Sequence, residues 1–401
     1  MPLGVTYLPP HAHGPSNGVH YGGMERFAAS FRHLDWVLLF SAFAISILGL
    51  VTMNSFTGDS PLFEKQVIWI SVALAVFIVA SIIDWRFLRR TGVVVSIYVG
   101  LCTLLTALFV TGSVFKGAQS WFNLGFAAFQ PVDLAKIALI ILLAKYFSRR
   151  HVEIAHFRHI LVSGVYALIL FLLVAVQPDF GSAVIIFFVW LGMVLVSGIS
   201  LKHLGAVAAV GLVAFSGLWF FGFQDYQKER IRTFLNPLAD IHGAGYNAYQ
   251  STIAVGSGGL LGKGIGYGTQ SKLRFLPEYQ TDFIFAAFAE EWGFLGVLIL
   301  LGLFLALVLS LTRMASRGAT NFETLFTLGI AMYVISHFIV HIGINVGLLP
   351  VTGTTLPFMS YGGSHLVAEF LGLGIAVGMQ RYARATHREA YGQELSHAYD
   401  R

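Results

Sequence analysis

Long apolar stretches, separated by short polar connections, run through most of the chain. Ten of them reach or approach the about 20 apolar residues that a helix needs to cross about 30 Å of hydrocarbon. Only helices or closed barrels satisfy their backbone hydrogen bonds in lipid, and these stretches are too long for barrel strands. The pattern therefore predicts an all-α membrane protein with ten transmembrane helices, near residues 36–54, 65–83, 92–111, 129–147, 160–176, 182–199, 204–222, 283–311, 323–345 and 364–380.

The composition excludes an ordinary soluble domain. Of the 401 residues, 56% are hydrophobic and only 11% are charged, and the mean hydropathy is +0.73. The lone Cys102 lies inside an apolar stretch, so the chain has no disulfide framework. We expect residues 34–382 to form the membrane domain, between a flexible cytoplasmic segment at 1–33, without a cleavable targeting peptide, and a cytoplasmic tail at 383–401.

The basic residues predict the orientation. With the N-terminus inside, the inside segments carry fifteen Arg and Lys residues, against only Lys65 and Lys116 in the short outside connections. Since cytoplasmic loops are enriched in Arg and Lys, both termini are predicted to be cytoplasmic. The net charge of +5 follows from this bias, and it does not indicate nucleic-acid binding.

Two outside segments break the pattern of short connections. The first, at about 223–281, is predicted to be a large ordered loop because it mixes apolar, aromatic and glycine residues, with a short helix over 246–256. Its glycines at 256–268 fit either tight turns or a phosphate cradle. The second, at 345–363, is uncharged, and we expect it to fold back onto the bundle as a cavity lining or a packed plug.

A few ionisable residues lie in the apolar stretches, where each needs a partner or a task. Asp133 and Lys136 share a helix face, which fits either a structural ion pair or a Lys136 that reaches an anionic group in an outward cavity. Asp179 is suited to cap the next helix. His337 and His341 could bind a metal as an i, i+4 pair, but hydrogen bonds between helices are favoured because no further ligands accompany them.

Asp282 stands at the end of the large loop, against the start of an apolar run. Locally it can be interpreted as the N-cap of that helix, with Thr281 beside it. Glu290 and Glu291 follow inside the run and need an interior or polar partner. The charges cluster toward the outer half, which favours an enzyme at the outer leaflet over a transporter or a scaffold.

Four motifs together resemble the SEDS family of bacterial wall synthesis, named for shape, elongation, division and sporulation. They are the segment from Tyr249 to Gly296, "AQSWFNLGFAAFQPVDLAKIA" at 118–138, "QPDFGSA" at 177–183 and "GLLPVTGTTLPFMSYGGS" at 347–364. The wording "IGINVGLLPVTG" at 342–353 is more similar to the RodA-like, elongation branch than to the FtsW-like, division branch.

The resemblance implies a peptidoglycan glycosyltransferase that polymerises lipid II at the outer face of the bacterial cytoplasmic membrane and releases undecaprenyl pyrophosphate. It implies a class B penicillin-binding protein as partner. The family's essential aspartate falls on Asp282, its conserved lysine on Lys136, and the acid of its QPD motif on Asp179. Asp133 stands where the family usually has Glu, and Ser120 where it usually has Arg, a loss for which Lys116 could substitute.

The implied reaction inverts the anomeric carbon, so one general base suffices, and Asp282 is the candidate. Lys263, Lys272 and Arg274 are candidates to meet the diphosphate, and Arg230 and Arg232 are weaker ones; a solvated face is the alternative for each. A divalent cation, Mg²⁺ or Mn²⁺, could assist, although no acid cluster indicates its site. A lipid II flippase and a non-catalytic scaffold for the penicillin-binding protein are the alternative functions.

Overall fold

Helices occupy all ten of the predicted ranges in the computed structural model. It describes residues 34–55, 61–115, 118–123, 125, 128–149, 157–236, 245–273 and 275–399. The first seven of these helices are α1 Trp36–Asn54, α2 Pro61–Ile82, α3 Thr91–Thr111, α4 Pro131–Ser148, α5 Phe157–Ala175, α6 Phe180–Val196 and α7 Leu201–Gly217. A 3₁₀ turn at Trp85–Arg89 precedes α3, and a π turn at Leu218–Gly222 extends α7.

Three helices lie in the large loop: α8 Asp225–Leu235, α9 Tyr246–Ser257 and α10 Thr269–Lys272. The last three helices are α11 Ile284–Ala315, α12 Asn321–Asn345 and α13 Gly363–Tyr399. The short helix predicted over 246–256 is thus confirmed as α9, which packs on α11 and α12. The predicted segment 1–33, and residues 237–244 of the loop, lie outside the described residues.

Within the described part of the chain, seven helices are long and apolar enough to cross a membrane: α1, α2, α3, α5, α7 with its π turn, α11 and α12. The chain is therefore a multi-pass membrane protein. Helix α6 is apolar but shorter. Helix α4 carries Asp133, Lys136 and Lys145, yet it is buried along almost its whole length and packs against α3, α6 and α12. Burial on all sides makes α4 the central helix of the bundle.

A small antiparallel sheet between α3 and α4 was not expected from the sequence. Its strands are β1 Ser113–Phe115, β2 Ala118–Asn123 and β3 Ala128–Phe129, in the order β1-β2-β3. Phe122 pairs with Phe129 across the second ladder. Such short strands carry too few residues for an alternating pattern to register in the sequence.

Helix α11 is broken at Gly293, where φ is 64° and ψ is −167°. The glycine-rich segment after α9 completes the hydrogen bonds that this break interrupts. Lys263 N and Gly264 N donate to the carbonyls of Glu290 and Glu291, at 3.0 Å each. On the other side of the break, Phe294 N donates to Gly259 O at 2.9 Å and Leu295 N donates to Leu260 O at 3.1 Å.

Close approach explains the glycines on both sides of this junction. A Cβ on Gly262, whose φ is +80°, would collide with the Glu291 carbonyl, and a Cβ on Gly293 would collide with the Gly262 amide. The tight turns predicted for this segment are present: Gly262 N donates to Gly258 O at 2.9 Å, and Tyr267 N donates to Gly264 O at 3.1 Å. The amides of Lys263 and Gly264 bond to α11, so they do not form a phosphate cradle.

The second outer segment packs into the bundle, as the sequence predicts. Leu356, Phe358 and Met359 are buried. Gly49 of α1 leaves space for the Met359 carbonyl, and Gly363 leaves space for the indole of Trp69 in α2. The segment thereby reaches the interior positions where α4, α12 and α13 place their polar side chains.

Candidate active site

The centre of the polar interior is the pair that α4 contributes. Lys136 Nζ lies 3.2 Å from Asp133 Oδ1, and both side chains are 2% exposed. The i, i+3 spacing brings them together, as the sequence predicts. Two buried charges are tolerated only when they are paired and hydrogen-bonded, and the predicted ion pair meets this requirement.

Helix α13 adds His365 and Glu369 to this group of buried polar side chains. His365 Nδ1 lies 3.2 Å from Asp133 Oδ1. Its Nε2 lies 2.9 Å from Glu369 Oε1, although this contact lacks hydrogen-bond geometry. The second carboxylate oxygen of Glu369 accepts a hydrogen bond from Phe358 N at 2.8 Å, which ties the second outer segment to α13. Sequence reasoning missed His365; its i, i+4 spacing to Glu369 was the available signal.

The two histidines of α12 bind the same outer segment. His337 Nδ1 lies 3.2 Å from Thr355 O, and His341 Nδ1 lies 2.8 Å from Thr354 O. His337 Nε2 lies 3.5 Å from Lys136 Nζ. Both histidines therefore form hydrogen bonds, as predicted, but their shorter ones go to backbone carbonyls of the outer segment rather than between helices. Among the described residues, no group of three or more His, Cys, Asp or Glu side chains could hold a metal ion.

Asp179 caps α6, as local reasoning predicts. Its Oδ1 accepts from Ser182 N at 3.0 Å, and its Oδ2 accepts from Gln130 Nε2 at 2.9 Å. Gln130 N in turn donates to Ser364 Oγ at 3.2 Å. A Cβ on Gly181 would lie 2.6 Å from Thr352 O, so the N-terminus of α6 lies directly against residue 352 of the second outer segment.

Asp282 lies next to Gly353, which follows Thr352 in the second outer segment. A Cβ on Gly353 would be 3.5 Å from Asp282 Oδ2, and the Asp282 side chain is half-buried. The suggestion that Asp282 is the N-cap is wrong: that position falls on Phe283, which makes no side-chain capping hydrogen bond.

The backbone around Asp282 is held on both sides. Ser360 Oγ donates to Thr281 O and Tyr361 N donates to Gln280 O, at 2.8 Å each. Asn345 Nδ2 donates to Asp282 O at 3.0 Å. Asn345 also accepts from Ala286 N at 3.1 Å through Oδ1, and from Ser251 Oγ at 2.9 Å through its backbone carbonyl. Asn345 therefore joins α9, α11 and α12 at this point, a role that its sequence context did not reveal.

The cations that the sequence offers for the diphosphate lie in different surroundings. Lys263 Nζ lies 2.7 Å from Glu290 Oε1, so its charge is paired at the junction with α11, although 29% of the side chain is exposed. Its carboxylate partner is fully buried and also accepts from Thr269 Oγ1 and Gln270 N at 3.2 Å each. A contact of Lys263 with the diphosphate stays a prediction. Lys272 is exposed, with Nζ 5.7 Å from the ring centroid of Tyr267. Arg274 and Lys116 lie outside the described residues.

Arg230 has the more suitable position. It lines a narrow cleft, with a water-accessible volume of about 10 Å³, together with Phe180, Phe223 and Thr352, among others. Phe180 follows Asp179, and Thr352 precedes Gly353. Because Gly353 is the residue that lies against Asp282, the cleft is adjacent to the Asp282 site. Arg232 instead forms an exposed pair with Glu229, with an N–O distance of 3.7 Å. Sequence position does not distinguish Arg230 from Arg232, which lie two residues apart; only the tertiary structure separates them.

The family model of the FtsW, RodA and SpoVE cell cycle proteins matches residues 28–385. The chain belongs to this family. It is 38% identical over 365 residues to peptidoglycan glycosyltransferase MrdB of Escherichia coli (strain K12), covering 90% of this chain and 96% of that protein. It is 32% identical over 363 residues to stage V sporulation protein E of Bacillus subtilis (strain 168), covering 87% of this chain and 98% of that protein.

Solved structures show the same similarity. A chain from a peptidoglycan synthase complex that coordinates polymerization and crosslinking superposes with a TM-score of 0.75 at 31% identity, covering 87% of this chain and 98% of that one. The crystal structure of the rod shape determining protein RodA of Thermus thermophilus gives 0.65 at 30% identity, covering 86% and 96%. These comparisons confirm the resemblance predicted from the sequence, including the RodA-like branch.

Proposed function

We propose that this family member is a peptidoglycan glycosyltransferase that polymerises lipid II into glycan strands for cell elongation and shape. Its similarity to MrdB over nearly the whole of both chains supports the reaction class. The observation that supports the site is Asp282, half-buried where the large loop, the end of α12 and Gly353 meet.

The proposed topology places this site outside the cytoplasmic membrane of a bacterium. Ten helices, α1 to α7 and α11 to α13, cross the bilayer, and both termini are cytoplasmic because Arg and Lys residues concentrate on that side. The large loop with α8, α9 and α10 is then extracytoplasmic. Helices α4 and α13 cross largely within the protein bundle, which makes their charges tolerable. Helix α6 is uncharged and exposes Phe187, Phe188 and Leu195.

In the proposed reaction, the 4-hydroxyl oxygen of the acceptor sugar attacks the anomeric carbon of the lipid-linked donor. The new glycosidic bond forms as the bond to the diphosphate breaks, and undecaprenyl pyrophosphate leaves with that electron pair. Asp282 takes the hydroxyl proton as general base. Direct displacement inverts the anomeric centre without a covalent intermediate on the protein.

The surrounding residues stabilise the leaving diphosphate and hold the helices around the site in place. Arg230 in the adjacent cleft supplies positive charge toward the departing diphosphate. Asp133, Lys136 and His365 fix α4 against α13 behind the site, and Asp179 fixes the N-terminus of α6 beside Thr352. Mg²⁺ or Mn²⁺ bound with the diphosphate remains a prediction, as do contributions from Lys263, Lys272, Arg274 and Lys116.

A class B penicillin-binding protein is the proposed partner. A structurally similar chain belongs to a synthase complex that couples polymerization to crosslinking. A polymerase of this kind makes strands that a transpeptidase must cross-link, so association of the two activities places product beside its next enzyme.

The experiment is a polymerisation assay with the purified full chain and its penicillin-binding partner in detergent, supplied with fluorescent lipid II. Glycan strands resolved on a gel, and digestible by a muramidase, are expected. A flippase has no membrane to work across in detergent and makes no strands. Lipid II that stays unpolymerised with well-folded protein, while the same preparation translocates it in vesicles, would contradict the proposal.

A further inference from the structure

The segment after α9 exposes apolar side chains at the end of the bundle that carries Asp282. Leu260 is 71% exposed, Leu261 77%, Ile265 51% and Tyr267 71%. The segment is not loosely attached, because Glu290 holds Lys263, Thr269 and Gln270. A fixed loop that keeps such side chains on its outside indicates contact with an apolar surface.

Backbone hydrogen bonds fix the position of Leu260 and Leu261 along α11. Leu260 O accepts from Leu295 N at 3.1 Å, and the preceding Gly259 O accepts from Phe294 N at 2.9 Å. The two leucines therefore lie beside the first turn after the break of α11.

This turn lies at the edge of a membrane span. At about 1.5 Å per residue, the part of α11 at 294–315 is about 33 Å long, which matches about 30 Å of hydrocarbon. Helix α12, antiparallel to it, ends at Asn345, and Asn345 contacts Ala286 before the break. The part of α11 before Gly293 is thus at the outer end of the span, and Leu260 and Leu261 are at the level where the hydrocarbon begins.

The exposed face of α11 continues this apolar surface into the membrane. Phe294 is 53% exposed, Leu295 50% and Ile299 59%, all on a helix that is apolar enough to span. Beyond the leucines, Tyr267 with the Lys272 ammonium 5.7 Å from its ring is the amphipathic combination found at membrane interfaces.

We propose that residues 258–267 form an interfacial anchor whose apolar side chains enter the boundary between headgroups and acyl chains on the Asp282 side of the membrane. The occupant is lipid, because the patch is continuous with the lipid-facing side of α11 and lies at its depth. The anchor fixes the height of the loop, and of Asp282 after it, at the level of lipid headgroups.

The test measures depth with a nitroxide on single cysteines. Leu260→Cys and Leu261→Cys are made separately in the full chain carrying Cys102→Ser, because Cys102 is the only cysteine. The labelled proteins are reconstituted in phosphatidylethanolamine and phosphatidylglycerol vesicles, and collision with oxygen is compared with collision with a water-soluble nickel chelate. Leu305→Cys, 59% exposed within α11, is the lipid control, and exposed Arg317→Cys is the water control.

The anchor predicts an oxygen-to-nickel ratio at both positions that is several-fold above that of Arg317→Cys and below that of Leu305→Cys. A ratio equal to that of Arg317→Cys overturns it. Nickel-accessible labels that become protected only when a class B penicillin-binding protein is added would also overturn it, by assigning the patch to a protein partner. None of these results depends on whether the chain polymerises lipid II.

Discussion

Asp133 is a buried carboxylate with two neighbours of opposite or potential positive charge. Its Oδ1 lies 3.2 Å from both Lys136 Nζ and His365 Nδ1, while its Oδ2 has no hydrogen-bond partner among the described residues. A carboxylate that is 2% exposed depends on its neighbours for its stability, because burial removes it from bulk solvent. The pair therefore bears mainly on the stability of the bundle.

Lys136→Met removes the nearest cation and leaves the carboxylate of Asp133 buried. Breaking one side of a buried pair typically costs about 3–5 kcal/mol, so we expect a loss toward the lower end, about 3 kcal/mol, because His365 remains. Thermal unfolding in detergent measures it. Lys272→Met, on the exposed loop, is the matched control and should change the unfolding free energy by less than about 0.5 kcal/mol. Unchanged stability with lost polymerisation would instead assign Lys136 to the substrate.

At the scale of single residues, the sequence predicts contacts between residues that are close together in the chain. The Asp133–Lys136 pair follows from an i, i+3 spacing, and the Asp179 cap from its place before an apolar run. Asn345 and Arg230 could not be selected in this way, because the residues that they meet in α9, α11 and the second outer segment lie far away in the chain. His365 has a local signal in its i, i+4 spacing to Glu369, but its contact with Asp133 joins distant parts of the chain. The same reason applies to Lys263, whose partner Glu290 belongs to another element.

At the scale of elements, the junction between α11 and the glycine-rich segment decides where the large loop lies. The break at Gly293 frees backbone groups on both of its sides, and the segment at 259–264 supplies their partners. The loop is thus fixed to α11 through backbone groups, which restricts substitution of the glycines more than that of the exposed side chains. The apolar run of α11 contains three glycines, Gly293, Gly296 and Gly302, and predicts a continuous span. Nothing in the sequence distinguishes Gly293 from the other two, so the break was not visible there.

Gly262→Ala tests the junction. The new Cβ would collide with the Glu291 carbonyl at a φ of +80°, so we expect a loss of about 3 kcal/mol or more and faster cleavage of the loop by added protease. Gly259→Ala is the control, because its φ is also positive, +56°, but its Cβ would meet open space. That variant should lose only about 1–2 kcal/mol. Equal losses in the two variants would show that strain, rather than close approach, requires the glycine.

At the scale of the whole molecule, the hydrophobic pattern predicts the order of the helices, because crossing lipid requires long apolar runs. The ends of the helices shift by a few residues, and α13 continues well past the predicted 380. The sheet at 113–129 and the three loop helices α8, α9 and α10 depend on packing around the site, which a hydropathy pattern does not encode. Only the helix at 246–256 was foreseen among these.

The predicted orientation can be measured with a membrane-impermeant thiol reagent on intact cells. In the Cys102→Ser background, Lys272→Cys in the large loop should react from outside, whereas Arg317→Cys in the connection between α11 and α12 should react only after the membrane is opened. The reverse pattern would place Asp282 on the cytoplasmic side, away from the growing wall.

The central claim is that Asp282 is the general base of glycan polymerisation. Asp282→Asn keeps the size of the side chain but cannot accept the proton, and it is compared with Asp225→Asn, an exposed acid in α8. With fluorescent lipid II and the penicillin-binding partner, Asp282→Asn should lose at least about 100-fold in strand synthesis while its unfolding temperature stays that of the unmodified chain, and Asp225→Asn should remain active. Strand synthesis retained by folded Asp282→Asn would contradict the claim.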